Sequence, residues 1–187
     1  IERYSGTFQG DEARIRTRLT DLGAAGLHPN SCMLFSEQQF KNRERWNADS
    51  SWFNWVPEPF NEDWEIEWSP AWSLTSDERR WLPTAYCYYG YSRKFKAWFA
   101  HADSNGCAAG CSTEEAILQG FLELVERDSV ALWWYNCLRK PVVYLASFQD
   151  SYFQDLQLYY KTLSRDLWVL DITSDLAIPT FAAISRR

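Results

Sequence analysis

The sequence predicts an α+β fold with mixed or mainly antiparallel sheets packed with helices. Three observations carry that reading. Strand candidates occupy much of the first half, a long uninterrupted helical pattern follows Ser112, and a further helix and strand candidates come after it. A chain of 187 residues suffices for one domain with a sizeable core, and no linker or low-complexity tract divides it.

Taken in order, Ile1 to Gly6 reads as the end of a helix stopped by Gly6. Asp11 to Leu22 alternates loosely at helical spacing and is closed by Gly23 and Gly26. After a turn at Pro29 and Asn30, Cys32 to Phe35 is a short buried strand candidate, and Ser36 to Gln39 caps another short helix. Trp46 to Trp81 is rich in Trp, Phe and Pro. Alternation in Trp64 to Trp68 predicts a strand with Trp64, Ile66 and Trp68 inward and Glu65 and Glu67 in water. The same rings would serve to stack on sugars or grip an extended peptide, so a binding module stays open as an alternative. Pro83 to Gly90 reads as another strand.

The segment from Ser104 to Ser112, rich in Gly and Ala, leads into the long helix. Ser112 with Glu115 three positions on is a capping-box signature, and good helix formers run without Pro to about Asn136. At about 100° per residue, Glu115, Gln119, Leu122, Glu123 and Glu126 share one face, with Ile117, Phe121, Leu124 and Val125 on the other. A rise of about 1.5 Å per residue separates Glu115 from Glu123 and Glu126 by roughly 12 to 16 Å, while the latter two are neighbours one turn apart. A close carboxylate pair and a distant third suit an elongated ligand. Mg²⁺ takes one or two protein carboxylates plus phosphate oxygens, the helix N-terminus attracts anions, and Arg127 adds a fork for phosphate. A solvated polar face with a capping box explains the same spacing.

Beyond the helix, Val142 to Leu145 is a strand candidate and Phe148 to Leu163 a helix with Asp150, Gln154 and Lys161 outward. Leu167 to Thr173 and Pro179 to Ser185 are strands joined by a polar turn.

The net charge of −6 argues against nucleic-acid or anionic-membrane binding, and no run of about 18 apolar residues exists. The five cysteines follow no zinc or secreted-disulfide spacing, which points to free thiols in a reducing, cytoplasmic compartment. His101 and Asp103, with Cys107 or Ser104 as nucleophile, sketch a hydrolase triad, but a lone His is weak support.

The run Ser104-Asn105-Gly106 through Ala109-Gly110, Glu115-Ala116, and Glu123-Leu124-Val125-Glu126-Arg127-Asp128 resembles the central ATP-binding motif of the YcaO family. Ala116 to Phe121 and Val130 to Asn136 most resemble the azoline-forming branch, which includes the cyanobactin heterocyclases. Further matching patches lie at Glu2 to Gly6, Leu34 to Gln39, Trp68 to Leu74, Leu82 to Tyr91 and Leu167 to Arg187. Ile1 to Ser5 also echoes Val125 to Ser129, and in the family that first copy faces the second across the nucleotide.

The resemblance implies an ATP- and Mg²⁺-dependent cyclodehydratase. It would convert Cys, Ser or Thr of a ribosomal precursor peptide to thiazoline or oxazoline by phosphorylating the amide oxygen, in bacteriocin-like natural-product biosynthesis. Glu2, Glu123 and Glu126 would hold Mg²⁺, and Arg3, Glu115 and Arg127 would contact the nucleotide. No residue here is assigned as the proton-transfer base, a role the family gives to a distal C-terminal segment. The resemblance also implies that residues 1–187 are a partial domain truncated at both ends, and that a leader-peptide-recognition domain or partner protein assists. A homodimer is one arrangement open to it. Thioamide formation is the alternative chemistry within the family. Where members commonly carry Asn, this chain has Cys111, which offers only weak hydrogen bonds and puts one nucleotide contact in doubt.

Overall fold

A computed structural model describes residue 4 and residues 6–49 and 55–187, the side chain of residue 49 excepted. The chain divides into two compact units, Ile1–Cys107 and Ala108–Arg187.

In the N-terminal unit an antiparallel sheet is ordered β1-β2-β3, with β1 at Ile15–Thr17, β2 at Ile66–Ser73 and β3 at Glu78–Pro83. β1 replaces part of the helix expected over Asp11 to Leu22; only Leu19–Leu22 (α1) and a 3-10 turn at Gly23–Ala25 are helical. The β-branched Ile15 and Thr17 pair with Trp68 and Ile66, and Arg14 Nε meets Glu67 Oε2 at 2.9 Å. Tertiary pairing thus overrides a loose local pattern. The expected strand start at Trp64 moves to Ile66. The strand runs on through Pro70, which lies past the three β1-paired residues, where β2 has a neighbour on one side only. Trp68 is fully buried as expected, whereas Trp64 keeps 39 % of its surface.

Two more expected strands are helical. Pro29–Met33 is α2: His28 Nδ1 accepts the Asn30 N–H at 3.1 Å, Pro29 occupies the first turn, and Leu34 closes the helix in the left-handed region. Thr84–Cys87 is α5, placed directly after β3 ends at Pro83. Between them lie α3 (Glu37–Lys41), with the expected Ser36–Gln39 capping box, and α4 (Arg43–Asp49). α6 (Tyr91–Phe95) follows Gly90. Ala85, Tyr91, Phe99 and Ala100 form a buried cluster under Phe8, Met33, Phe60 and Ile66.

The C-terminal unit holds the long helix α7 (Thr113–Tyr135), a 3-10 turn at Leu145–Phe148, helix α8 (Ser151–Thr162), and an antiparallel pair of strands, β4 (Asp166–Asp171) and β5 (Phe181–Arg186). α7 starts and stops where the sequence indicates, with Ser112 and Asn136 as its caps. Asp150 caps α8 by accepting the Tyr152 N–H, three residues later than the expected start. The strand expected over Val142 to Leu145 shrinks to a single bridge from Val142 to Leu170, because a 3-10 turn begins at Leu145. No helix among the described residues is long and apolar enough to cross a membrane.

Candidate functional site

The approach to α7 is built by a turn and a close contact. Asp103 Oδ1 accepts the Asn105 N–H at 2.9 Å, Cys107 N–H reaches the Ser104 carbonyl, and Gly106 at φ +80° completes the turn. Asp103 therefore spends its carboxylate on the chain itself. His101 is exposed, and Asp103 Oδ1 serves the Asn105 turn, which gives the hydrolase-triad reading no support. Further on, a Cβ at Gly110 would sit 2.7 Å from Ala116 N and 2.9 Å from Glu115 Cβ, so only glycine lets the segment lie this close to the helix.

The first turn of α7 is satisfied from within. Ser112 Oγ accepts the Glu115 N–H at 3.2 Å, and Glu115 Oε2 accepts the Cys111 N–H at 2.7 Å. The Glu114 carboxyl is held below the usual carboxylate range by its own backbone N–H and the Ser112 hydroxyl. An anion arriving at this helix end would meet two glutamates already using its donors.

Two turns on, Glu123 is half-buried, and Glu126, three residues later, is exposed and ion-paired with Arg127. Val125 is buried on this helix as Gly120 and Ser129 are, but Ile117, Phe121 and Leu124 each keep more than two-fifths of their surface. Glu2 and Arg3 lie outside the described residues. The structure thus brings Glu126 to Arg127 and Glu115 to the Cys111 backbone, and it keeps Glu115 about two turns from Glu123 and about three from Glu126. No cluster of three or more His, Cys, Asp or Glu side chains suited to a metal occurs among the described residues.

The donors on α7 fit Mg²⁺ chemically. Two carboxylates one turn apart match an ion that takes few protein ligands and completes its shell with phosphate oxygens and water. One Glu126 oxygen would have to be shared with, or released by, Arg127.

A separate cavity of about 560 Å³ lies in the N-terminal unit, with Trp64, Phe95 and Trp98 in its walls. Its carboxylates are largely matched: Glu58 pairs with Arg43 at 3.2 Å, Glu65 with Arg16 at 3.8 Å, and Glu67 with Arg14. Trp52 and Phe53, part of the aromatic run, lie outside the described residues.

The sequence reading missed the Cys111 N–H, a main-chain group, as the partner of Glu115. The signal available was Gly110 five residues before Glu115, a small residue where the chain must pass a helix end.

The model of the YcaO cyclodehydratase family, described as ATP- and Mg²⁺-binding, matches residues 1–187, so the chain belongs to the YcaO family. It is similar to a solved heterocyclase in complex with substrate and cofactor, at 55 % identity and TM-score 0.92, covering 100 % of this chain and 25 % of that one. The heterocyclase TruD is 52 % identical with TM-score 0.88, over 100 % of this chain and 27 % of that one. A YcaO protein from Methanopyrus kandleri, bound with AMPPCP and Mg²⁺, shares the fold at 20 % identity and TM-score 0.52, over 90 % of this chain and 36 % of that one. The chain thus spans about a quarter of the length of the two heterocyclases.

Proposed function

We propose that this chain contributes the nucleotide-facing helix of an ATP- and Mg²⁺-dependent peptide cyclodehydratase acting on a ribosomal precursor peptide. The observation that carries the reading is the Glu123 and Glu126 pair, one turn apart on α7, with Arg127 beside Glu126. The family description and the two heterocyclases above 50 % identity support it.

In the reaction, a Cys, Ser or Thr side chain of the substrate attacks the preceding amide carbonyl. The resulting oxygen takes the γ-phosphoryl group of ATP, and loss of phosphate and a proton leaves the azoline ring. Bound Mg²⁺ would neutralise charge on the phosphate oxygens around the transferred group. Glu123 and Glu126 would hold that ion. Arg127, released from Glu126 as the carboxylate turns to the metal, would orient a phosphate oxygen through its planar fork. Recognition of a leader peptide, by a further domain or by a partner protein, belongs to the same proposal.

The test is calorimetric titration of the full-length protein with Mg·ATP, compared with Glu123→Gln and Glu126→Gln. Wild-type binding that both variants lose is the expected result. Undiminished binding in both variants would remove α7 from the metal site.

A further inference from the structure

We propose that Cys107 is a positioning residue, whose thiol seats the first acid-base segment, Glu2 to Gly6, against the turn at 104–107. The proposal rests on the cyclodehydratase reading, in which Glu2 and Arg3 serve the metal and the nucleotide.

Gly6, three positions after Arg3, is buried and held from two sides. On the main-chain side its carbonyl accepts the Tyr89 N–H at 2.8 Å, and the Phe8 N–H donates to the Tyr89 carbonyl at 2.9 Å, so Thr7 bridges Tyr89 in parallel. On the other side, a Cβ at Gly6 would come 3.2 Å from Cys107 Sγ and 3.3 Å from Cδ2 and Cε2 of the Tyr89 ring. Gly6 has no positive φ, so what glycine supplies here is room. Thiol and ring close a slot as wide as bare main chain.

Cys107 is itself fixed. Its N–H donates to the Ser104 carbonyl at 3.0 Å, in the turn that Gly106 completes, and Sγ lies 4.0 Å from the Asp103 carbonyl oxygen. One wall of the slot therefore belongs to the opening of the central motif, and the chain it holds is the one that carries Glu2 and Arg3. Three residues of chain span at most roughly 10 Å, so a displacement of Gly6 is passed on to Arg3 with little slack. The sulfur does this by volume and a soft surface, with no need to ionise.

The test is a double-mutant cycle in the full-length protein: Cys107→Ala, Gly6→Ala and the two together. Hydrogen exchange of the Phe8 and Tyr89 amides without nucleotide reads the docking of the segment, β2 amides give the reference for intact folding, and Mg·ATP titration reads the site. Each single variant, by emptying or crowding the slot, should speed exchange at Phe8 and Tyr89 and weaken Mg·ATP about fivefold. In the double variant the added methyl group takes the space of the lost sulfur, and both readouts should return to within about twofold of wild type. Losses that multiply in the double variant would overturn the proposal, since the thiol and Gly6 would then not share one slot. So would unchanged exchange in the single variants, or faster exchange with undiminished Mg·ATP affinity, which is the outcome of a contact that serves folding alone. A wild type that fails to bind Mg·ATP would refute the cyclodehydratase reading, and the exchange cycle would still decide whether the thiol seats Gly6.

Discussion

Trp68 and Thr17 meet across two strands and 51 positions of sequence: the indole Nε1 donates to the Thr17 carbonyl at 2.9 Å, and the Trp68 side chain is completely buried. One side chain both fills the core and fastens the three-residue strand β1. Trp68→Ala should cost about 3 to 5 kcal/mol by removing that volume. Trp68→Phe should cost less and chiefly release β1. Urea unfolding measures the first, and amide exchange over residues 15–17 reports the second.

Gly110 has no room for a methyl group beside the Ala116 nitrogen. Gly110→Ala should therefore push the segment off α7 and destabilise by about 1 to 3 kcal/mol, as overpacking does. The drop in Tm is the direct measurement, and faster Cys111 exchange would accompany it.

The hydroxyl of Ser112 satisfies one of the orphan donors of α7. Ser112→Ala should lose about 1 kcal/mol, whereas Ser112→Asp should retain most of it. Urea midpoints at constant slope would show both.

Burial pushes the Cys87 thiol up to about 12, with the neighbouring Cys32 adding to the shift. A folded group that binds its proton more tightly than the unfolded chain contributes stability below the unfolded thiol pKa. That contribution is lost as pH rises from there toward the folded value. The Cys87→Ser variant should thus show a flatter decline of stability at alkaline pH than wild type. At pH 8, alkylation should label exposed Cys111 and Cys137 well before Cys87.

The long helix was legible because its evidence is local: Ser112, Glu115 and a Pro-free run to Asn136 define its ends without reference to the rest of the chain. The strands β4 and β5 were legible for similar reasons, each an apolar run bounded by polar turns. β1 was not, since three residues become a strand only through β2, which follows some fifty positions later. Cys32 to Phe35 misled because a short apolar run fits strand and helix alike. Pro29 after His28 was the better guide. In the site, the spacing of Glu123 and Glu126 could be read directly from helical geometry, whereas the Cys111 N–H belongs to the main chain and carries no letter in the sequence.

The pairing of β4 with β5 has a consequence for handling this stretch of chain. One row of β5 amides and carbonyls has no strand partner among the described residues, and Phe181 beside it keeps half its surface. Such an edge invites a second copy to zip onto it and seed aggregates. Parallel, in-register stacking of copies would, however, set Arg186 upon Arg186 at every step. That repulsion is screened by salt, so precipitation of the stretch should worsen as ionic strength rises.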